Sequence, residues 1–236
     1  MSADRDFYDK EDLTQSVPHF VSYIQPYATN WFAVMRKEFA ERNGIRVLDL
    51  GAGSCTLSLM LSAEPYIGTI KAVDISAKKM ADLSALVCRE VGGDLNKLSF
   101  QEIDFNEKLP FDDNAFDLVV MDAALHHSRN IWETLAEIRR VLQPGGRFVA
   151  QREAYTSPLS SRVTFRRLLK SPEAAAGVSE NAYLKVQYDY YLRVNGFIPE
   201  FLPVYPSLFF RLFFFLNGLA FSKYNIVARS TKGDGG

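Results

Sequence analysis

Four aspartates and two histidines stand where a chain of this pattern can use them for chemistry. Asp49 sits two residues before Gly51 and four before Gly53 in VLDLGAGSC, Asp74 closes AVD, Asp104 closes EID, and Asp122 opens DAALHH, whose His126 and His127 are two of the chain's three histidines. Gly51, Ala52 and Gly53 form a small-residue loop. Glycine permits a sharp turn and a close approach of backbone to ligand, and the helix start that follows, at Ser54 to Thr56, offers N–H groups to a polar partner. Asp74 is placed to accept hydrogen bonds from ribose hydroxyls or, alternatively, to cap the next helix. Asp104 can pair with an exocyclic amine while Phe105 covers a ring, or can stand as a loop carboxylate in water. A neutral imidazole at His126 or His127 can take a proton from a hydroxyl near pH 7; the alternative is a histidine that caps the strand or packs against the ligand. Arg152 and Glu153, in QREAY, are candidates for contacting a polar substrate or form a solvated loop pair.

These residues need elements to hold them, and the hydrophobic pattern supplies them. IRVLDL (residues 45–50) is a short apolar, β-branched run stopped by glycine, which reads as a buried strand. Residues 69–75, 98–103 and 116–121 read as three more strands, and Arg147 to Ala150 opens a fifth. Between them, Leu57, Met60 and Leu61 recur at helical spacing, Ser76 can cap a helix carrying Met80, Leu83, Leu86 and Val87 on one face, and Ile131 to Leu142 is a helix closed by Pro144-Gly145-Gly146. Strands alternating with helices predict βαβ units on an open, mostly parallel sheet with helices on both faces, in which ligands bind at the carboxyl ends of the strands. Asp49, Asp74, Asp104, Asp122 and Arg152 all fall at such ends. The expected organisation is a helical N-terminal cap over 1–43, with helices at Phe20 to Tyr27 and Asn30 to Ala40 broken near Pro26. A core over 44–155, a substrate-side helical insertion over 156–222, and a final strand and tail over 223–236 complete a single domain.

The 236 residues are 47% hydrophobic and 23% charged, with a net charge of −1. That balance argues against a nucleic-acid partner, which calls for a basic excess. The two cysteines, Cys55 and Cys88, form neither a CxxC nor a Cys/His cluster, so no metal is expected. Two thiols fit a reducing compartment, and the polar N-terminus MSADRDFYDKEDLTQ has no apolar signal region, so the expectation is cytoplasmic. GAGSCT departs from GxGxxG, because Thr56 stands where the third glycine would be, which counts against a nicotinamide-dependent oxidoreductase.

Taken in order, VLDLGAGSC, AVDIS, EIDFNEKLPFDDNAFDLVVMDAALHH and VLQPGGRFV resemble the successive motifs of the class I S-adenosylmethionine-dependent methyltransferases, over roughly residues 44–150 and a final strand near 223–230. The resemblance is to the branch acting on small molecules and lipids. It implies a Rossmann-like, doubly wound sheet of seven strands and S-adenosylmethionine as cofactor. By position, it implies that Gly51 and Gly53, with Ala52, pass under the methionine part and that Asp49 orders the loop and reaches the amino group. It likewise implies that Asp74 binds the ribose with Ile75 against the adenine, that Asp104 and Phe105 hold the adenine, and that Asp122 binds the cofactor where methyl donor and acceptor should meet. Cys55 stands where the family often has a further glycine. DAALHH lacks the Asn/Asp-Pro-Pro-aromatic signature of enzymes that methylate base amines.

The acceptor side is less defined. Gly177 to Pro203 resembles segments of methyltransferases from surface-polysaccharide and sugar pathways, where Gly-x-x-Glu-x-x-Tyr precedes a helix and a Gly-Phe turn. This favours a hydroxyl on a sugar or another small metabolite. Tyr183, Tyr188, Tyr190 and Tyr191 could stack on sugar rings or pack internally. The Phe-rich segment PSLFFRLFFFLNGLAF (Pro206 to Phe221) is too short to span a bilayer. It reads as a buried helix or homodimer interface first, an apolar pocket lining second, and a membrane-surface element last, since only Arg211 and Lys223 lie near. The competing functions are a scaffold that binds cofactor without transfer and an enzyme of a lipid-linked substrate.

Overall fold

The structure is a computed structural model that describes residue 5, residues 17–204 and residues 224–233. The Phe-rich segment 206–221, and with it the expected interface, lies outside the described residues. In chain order the strands are β1 (Ile45–Leu50), β2 (Ile67–Asp74), β3 (Leu98–Glu102), β4 (Phe116–Asp122), β5 (Leu142–Gln151), β6 (Tyr155–Thr156), β7 (Tyr183–Leu184), β8 (Phe197–Pro203) and β9 (Tyr224–Ser230). Seven of them make one sheet in the order β3-β2-β1-β4-β5-β9-β8, while β6 and β7 pair separately. β1 to β5 run parallel, and β9 lies antiparallel between β5 and β8. The strand order reverses between β1 and β4, the place where an open α/β sheet leaves a crevice for ligand.

The helices are α1 (Val17–Glu38), α2 (Thr56–Ser62), α3 (Ala77–Val91), α4 (Ile131–Val141), α5 (Ser161–Leu168), α6 (Pro172–Ala175) and α7 (Lys185–Val194). Strand alternation sends residues to two cores. Leu118 and Val120 of β4 join Val47, Val149 and Val227 beneath α1 and α2. Val119 and Met121 join Leu48, Leu50, Phe148 and Ile226 beneath α4 and α7. β4 is buried from Phe116 to Met121 because both its faces are covered, each large apolar side chain contributing about 1.5–3 kcal/mol. α3 opens where Ser76 Oγ accepts from Lys79 N, and α4 where Asn130 Oδ1 accepts from Trp132 N. Among the described residues no helix is long and apolar enough to cross a membrane.

Three boundaries differ from the sequence reading. α1 is one helix with Pro26 inside it, not two. Proline in a helix interior costs about 3 kcal/mol, and the apolar face of Tyr27, Ala28, Trp31, Phe32 and Met35, all buried, outweighs that. Trp31 also donates its Nε1–H to Gln151 Oε1 at 2.7 Å, tying the helix to the end of β5. Second, β5 begins at Leu142, with Pro144-Gly145-Gly146 inside the strand and a register shift against β4. Third, the segment expected as a helical insertion divides. α5 and α6 stand outside the sheet, whereas α7 enters the core through Tyr188 and Leu192 and β8 is a sheet edge. Pro199 and Pro203 conceal β8 in the sequence, yet an edge strand tolerates proline.

Candidate functional site

The carboxyl ends of β1, β2 and β4, with the loops after β3 and β5, line a cavity of about 400 Å³. Its walls include Gly51, Ala52, Gly53, Asp74, Ile75, Asp104, Phe105, Asp122, His126, His127 and Arg152. Eleven of the thirteen candidates named from the sequence thus meet on one space, and the other two, Asp49 and Glu153, lie beneath it.

The glycine loop is held by its backbone. Gly51 N and Ala52 N both donate to Val73 O, at 2.9 and 3.0 Å. Gly51 has φ +74°, and a Cβ there would sit 2.8 Å from Ala124 Cβ, so the position excludes any side chain. Gly53 has φ +51° with nothing within 4 Å of a built Cβ, which leaves open space over the loop. Cys55 is also left-handed, at φ 59°, the conformation that glycine adopts at no steric cost. Among the described residues four non-glycine residues have positive φ, and two of them, Ala123 and Arg152, line this cavity; such strain concentrates at functional sites.

Asp49 is fully buried below the loop. Its Oδ2 accepts from Ser58 Oγ at 2.7 Å, and its Oδ1 has no hydrogen-bond partner among the described residues. Burial pushes its carboxyl up to about 7, against the Ser58 hydrogen bond, with Asp122 and Asp74 adding repulsion. Asp74 Oδ2 accepts from Gly53 N at 2.8 Å and Oδ1 from Ser76 N at 2.9 Å. The carboxylate therefore fixes the glycine loop and the start of α3 together, and each oxygen keeps a lone pair for a further donor. Burial raises its carboxyl in spite of those bonds. Asp104 is more engaged than expected. Oδ1 accepts from Asn106 N and Nδ2, at 2.9 and 3.1 Å, and Oδ2 lies 3.1 Å from Arg129 Nη2. Phe105 is buried against Gly51 and Ala124.

Asp122 and Arg152 form a two-pronged pair. Arg152 Nε and Nη2 donate to Oδ1 and Oδ2 at 2.5 and 2.8 Å, and Gln151 Nε2 donates to Oδ1 at 3.0 Å. Arg152, at φ 56°, turns back toward the end of β4, and its guanidinium lies 5.3 Å from the Tyr23 ring centroid. Glu153 points inward. Its Oε1 accepts from Ala124 N and Leu125 N at 3.3 and 3.2 Å, and its Oε2 from His126 N at 3.0 Å and His126 Nδ1 at 2.8 Å. Glu153 does not present its carboxylate to the cavity: it ties down the DAALHH loop and orients the His126 ring.

The two histidines are therefore in different states. Burial pushes His126 down, but the charge and hydrogen bond of Glu153 more than offset it, and its pKa is raised. Burial and the neighbouring His126 push His127 down to about 4. His127 Nδ1 lies 2.8 Å from Ser179 O, and a carbonyl only accepts, so Nδ1 carries the hydrogen. The sequence reading marked Gly177 to Pro203 but named no site residue in the strap from α6 to β7 before Tyr183. Glu173, Val178 and Glu180 line the cavity, and Asn181 Nδ2 holds the strap to the carbonyls of His126 and Ser128, both at 3.1 Å. The signal was in Gly177-x-x-Glu180-x-x-Tyr183, where Glu180, not the tyrosine, reaches the cavity. Tyr183 and Tyr188 stack edge-on at 5.1 Å and Tyr188 is buried, so these rings pack. One ligand-capable atom from each of His126, His127 and Glu180 lies within 4.8 Å of the others. Ligands of a tetrahedral ion with bonds near 2.0 Å stand about 3.3 Å apart, so the three would have to close up to hold a metal.

A seven-stranded sheet with its last inserted strand antiparallel, a glycine loop after β1 and an acid at the end of β2 define the class I S-adenosylmethionine-dependent methyltransferase fold. Residues 48–150 match the family model described as a methyltransferase domain. The uncharacterized methyltransferase YcgJ of Bacillus subtilis is 35% identical over 104 residues, 44% of this chain and 39% of that protein. Its crystal structure superposes with TM-score 0.59 over 85% of this chain and 98% of that one, at 23% identity. A demethylmenaquinone methyltransferase of Symbiobacterium thermophilum is 37% identical over 109 residues, 46% of this chain and 42% of that protein. The chain thus matches about two-fifths of the length of these relatives. The structure titled [4+2]-cyclase SpnF superposes with TM-score 0.57, at 21% identity, over 85% of this chain and 80% of that one.

Proposed function

We propose that the protein transfers a methyl group from S-adenosylmethionine to a hydroxyl of a small polar acceptor, a sugar or similar metabolite. The observation that carries this is the convergence of an open glycine loop, the Asp74 carboxylate and the Glu153-backed His126 on one cavity. The donor half fits the cofactor. Asp74 would take the ribose hydroxyls on its remaining lone pairs, the Gly51–Gly53 loop would pass the methionine part, and the partnerless Oδ1 of Asp49 is an acceptor for the amino group or a water bound to it. When bound, the cofactor supplies a methyl carbon on a positively charged sulfur.

The residues of the acceptor half do the rest. His126 has Nδ1–H committed to Glu153, which leaves Nε2 as the basic nitrogen. Nε2 would accept the proton of the acceptor hydroxyl as that oxygen takes the methyl group, and Glu153 would stabilise the imidazolium so formed. His127, uncharged at neutral pH, is a much weaker base and serves to shape the wall. Placement itself supplies rate, since alignment of donor and acceptor is worth a large effective concentration. The fold alone does not entail transfer, as its likeness to a [4+2]-cyclase illustrates, so the reading stands on the His126–Glu153 pair. Calorimetry with S-adenosylmethionine and its demethylated product tests the donor half. Labelled cofactor incubated with fractionated saccharide and metabolite pools tests transfer. Absence of cofactor binding sinks the whole reading, and binding without transfer to any pool leaves the scaffold alternative.

A further inference from the structure

Among the described residues, helix α5 is unlike the other helices of comparable length. None of its residues is buried, and large apolar side chains stand in water along it and just before and after it: Leu159 is 75% exposed, Val163 60%, Phe165 47% and Leu169 79%. Four cations accompany them, Arg162, Arg166, Arg167 and Lys170, and no acidic residue occurs between Glu153 and Glu173. Among the described residues none of the four is in an ion pair. At 100° per residue, Phe165, Leu168 and Leu169 make one stripe, and Arg162, Arg166 and Lys170 the adjoining one. Exposed apolar side chains beside a basic stripe fit an interface that is apolar below and anionic above, which is the arrangement of helices lying in a membrane surface. A soluble protein partner would match the apolar patch but not an uninterrupted row of cations. A polyanion would match the cations but leave the leucines in water.

We propose that α5 docks the protein on an anionic lipid surface, with Leu159, Phe165 and Leu169 entering the headgroup boundary and the arginines on the phosphates. The placement has a consequence for the cavity. Glu173, a cavity-lining residue, is four positions after Leu169, and four extended residues span at most about 14 Å. Docking therefore brings the mouth of the site close to the membrane surface, where an acceptor carried on a lipid would be presented. This inference concerns binding alone and holds whether or not methyl transfer is confirmed.

The test is sedimentation of the full chain with vesicles of phosphatidylcholine alone and with about one-third phosphatidylglycerol, at about 0.05 and 0.5 M salt. Binding at least about tenfold tighter to the anionic vesicles, and weakened by salt, is expected. Phe165→Ser with Leu169→Ser is expected to lose about tenfold while keeping the salt dependence. Arg162→Glu with Arg166→Glu is expected to abolish the preference for anionic lipid. Both pairs lie on exposed positions, and an unchanged melting temperature confirms the fold. The proposal is overturned by no sedimentation with anionic vesicles, or by binding that neither variant alters. It is also overturned by light scattering that shows a dimer dissolved by the serine pair, which would make a second copy the occupant.

Discussion

The two halves of the site are built differently. The donor half is local. Asp49, Gly51 and Gly53 lie in one βα turn, and Asp74 follows one βα unit later, bonded to Gly53 N and Ser76 N. The acceptor half is assembled across the chain. Its histidines follow β4, their orienting carboxylate Glu153 follows β5, and the strap that closes over them comes from residues 171–182, pinned by Asn181. A turn that must cradle one fixed molecule can be specified by a few adjacent residues. An acceptor pocket is specified by whichever distant loops reach it, so it can be rebuilt without disturbing the cofactor. The comparison is sharpened or broken by substitutions that should affect one half and spare the other.

The largest expected effect is in the donor half. Asp74→Ala removes the acceptor proposed for the ribose and also strands Gly53 N and Ser76 N. Hydrogen bonds to a charged group are worth about 1.5–3 kcal/mol each, so cofactor affinity should fall by about 100-fold or more, measured by calorimetry. A change below about tenfold would show that the loop holds the cofactor without this carboxylate.

Next comes the acceptor half. His126→Asn should lower kcat by about 100-fold or more and leave cofactor affinity within about threefold. In the wild type the rate should rise with pH through an apparent pKa above 6.5, the ordinary value from which Glu153 raises His126, and level off once the imidazole is neutral. Glu153→Gln should move that limb to lower pH, because the charge that favours the imidazolium is gone. An unchanged pH profile in both variants would remove His126 from the proton transfer and leave alignment as the source of rate.

This contrast also explains what could be read before the structure. The donor residues lie at strand ends that hydrophobic runs such as IRVLDL and FDLVVM mark, so a strand-by-strand reading brought Asp49, Asp74 and Asp104 to one edge. Glu153 looked like a substrate contact because it follows β5. Its inward turn depends on the left-handed backbone of Arg152 and on the N–H groups of Ala124 to His126, which lie 27–29 residues away. No local pattern encodes that. β8 was hidden by its prolines and α1 was cut at Pro26, both cases where tertiary packing overrides a local breaker. Asp104 does line the cavity, but its bond to Arg129 arises from a loop whose position follows from the packing of α4.

A smaller effect separates the two roles of Asp49. Its folded carboxyl is raised to about 7 from an ordinary 3.8, so the native state holds a proton that the unfolded chain has lost across that window. The group's contribution to stability is then full below about 3.8 and is lost as pH rises through about 7. Asp49→Asn cannot ionise, and the variant should gain on the wild type between pH 5 and 8 by about 2–4 kcal/mol, read from denaturant melts at the two values. Equal differences at both pH values would mean that Asp49 stays charged in the fold, held by Ser58.

The smallest effect probes where the halves meet. Ile24 of α1 lines the cavity, and Tyr23 beside it presents its ring to Arg152 at 5.3 Å. Arg152 is locked to Asp122 at the end of β4, so Tyr23 is, with Trp31 through Gln151, a contact through which the N-terminal helix touches the acceptor half. A cation over an exposed aromatic face contributes about 0.5–1 kcal/mol. Tyr23 is 43% exposed, which places the expected loss at the lower end. Tyr23→Leu keeps apolar bulk and removes the ring. If α1 helps hold the acceptor loop, KM for the acceptor should rise about two- to fivefold, with cofactor affinity unchanged. If instead cofactor affinity falls and the acceptor KM does not, α1 belongs to the donor half, and the boundary between the halves moves from the α1 face to the Asp122–Arg152 pair.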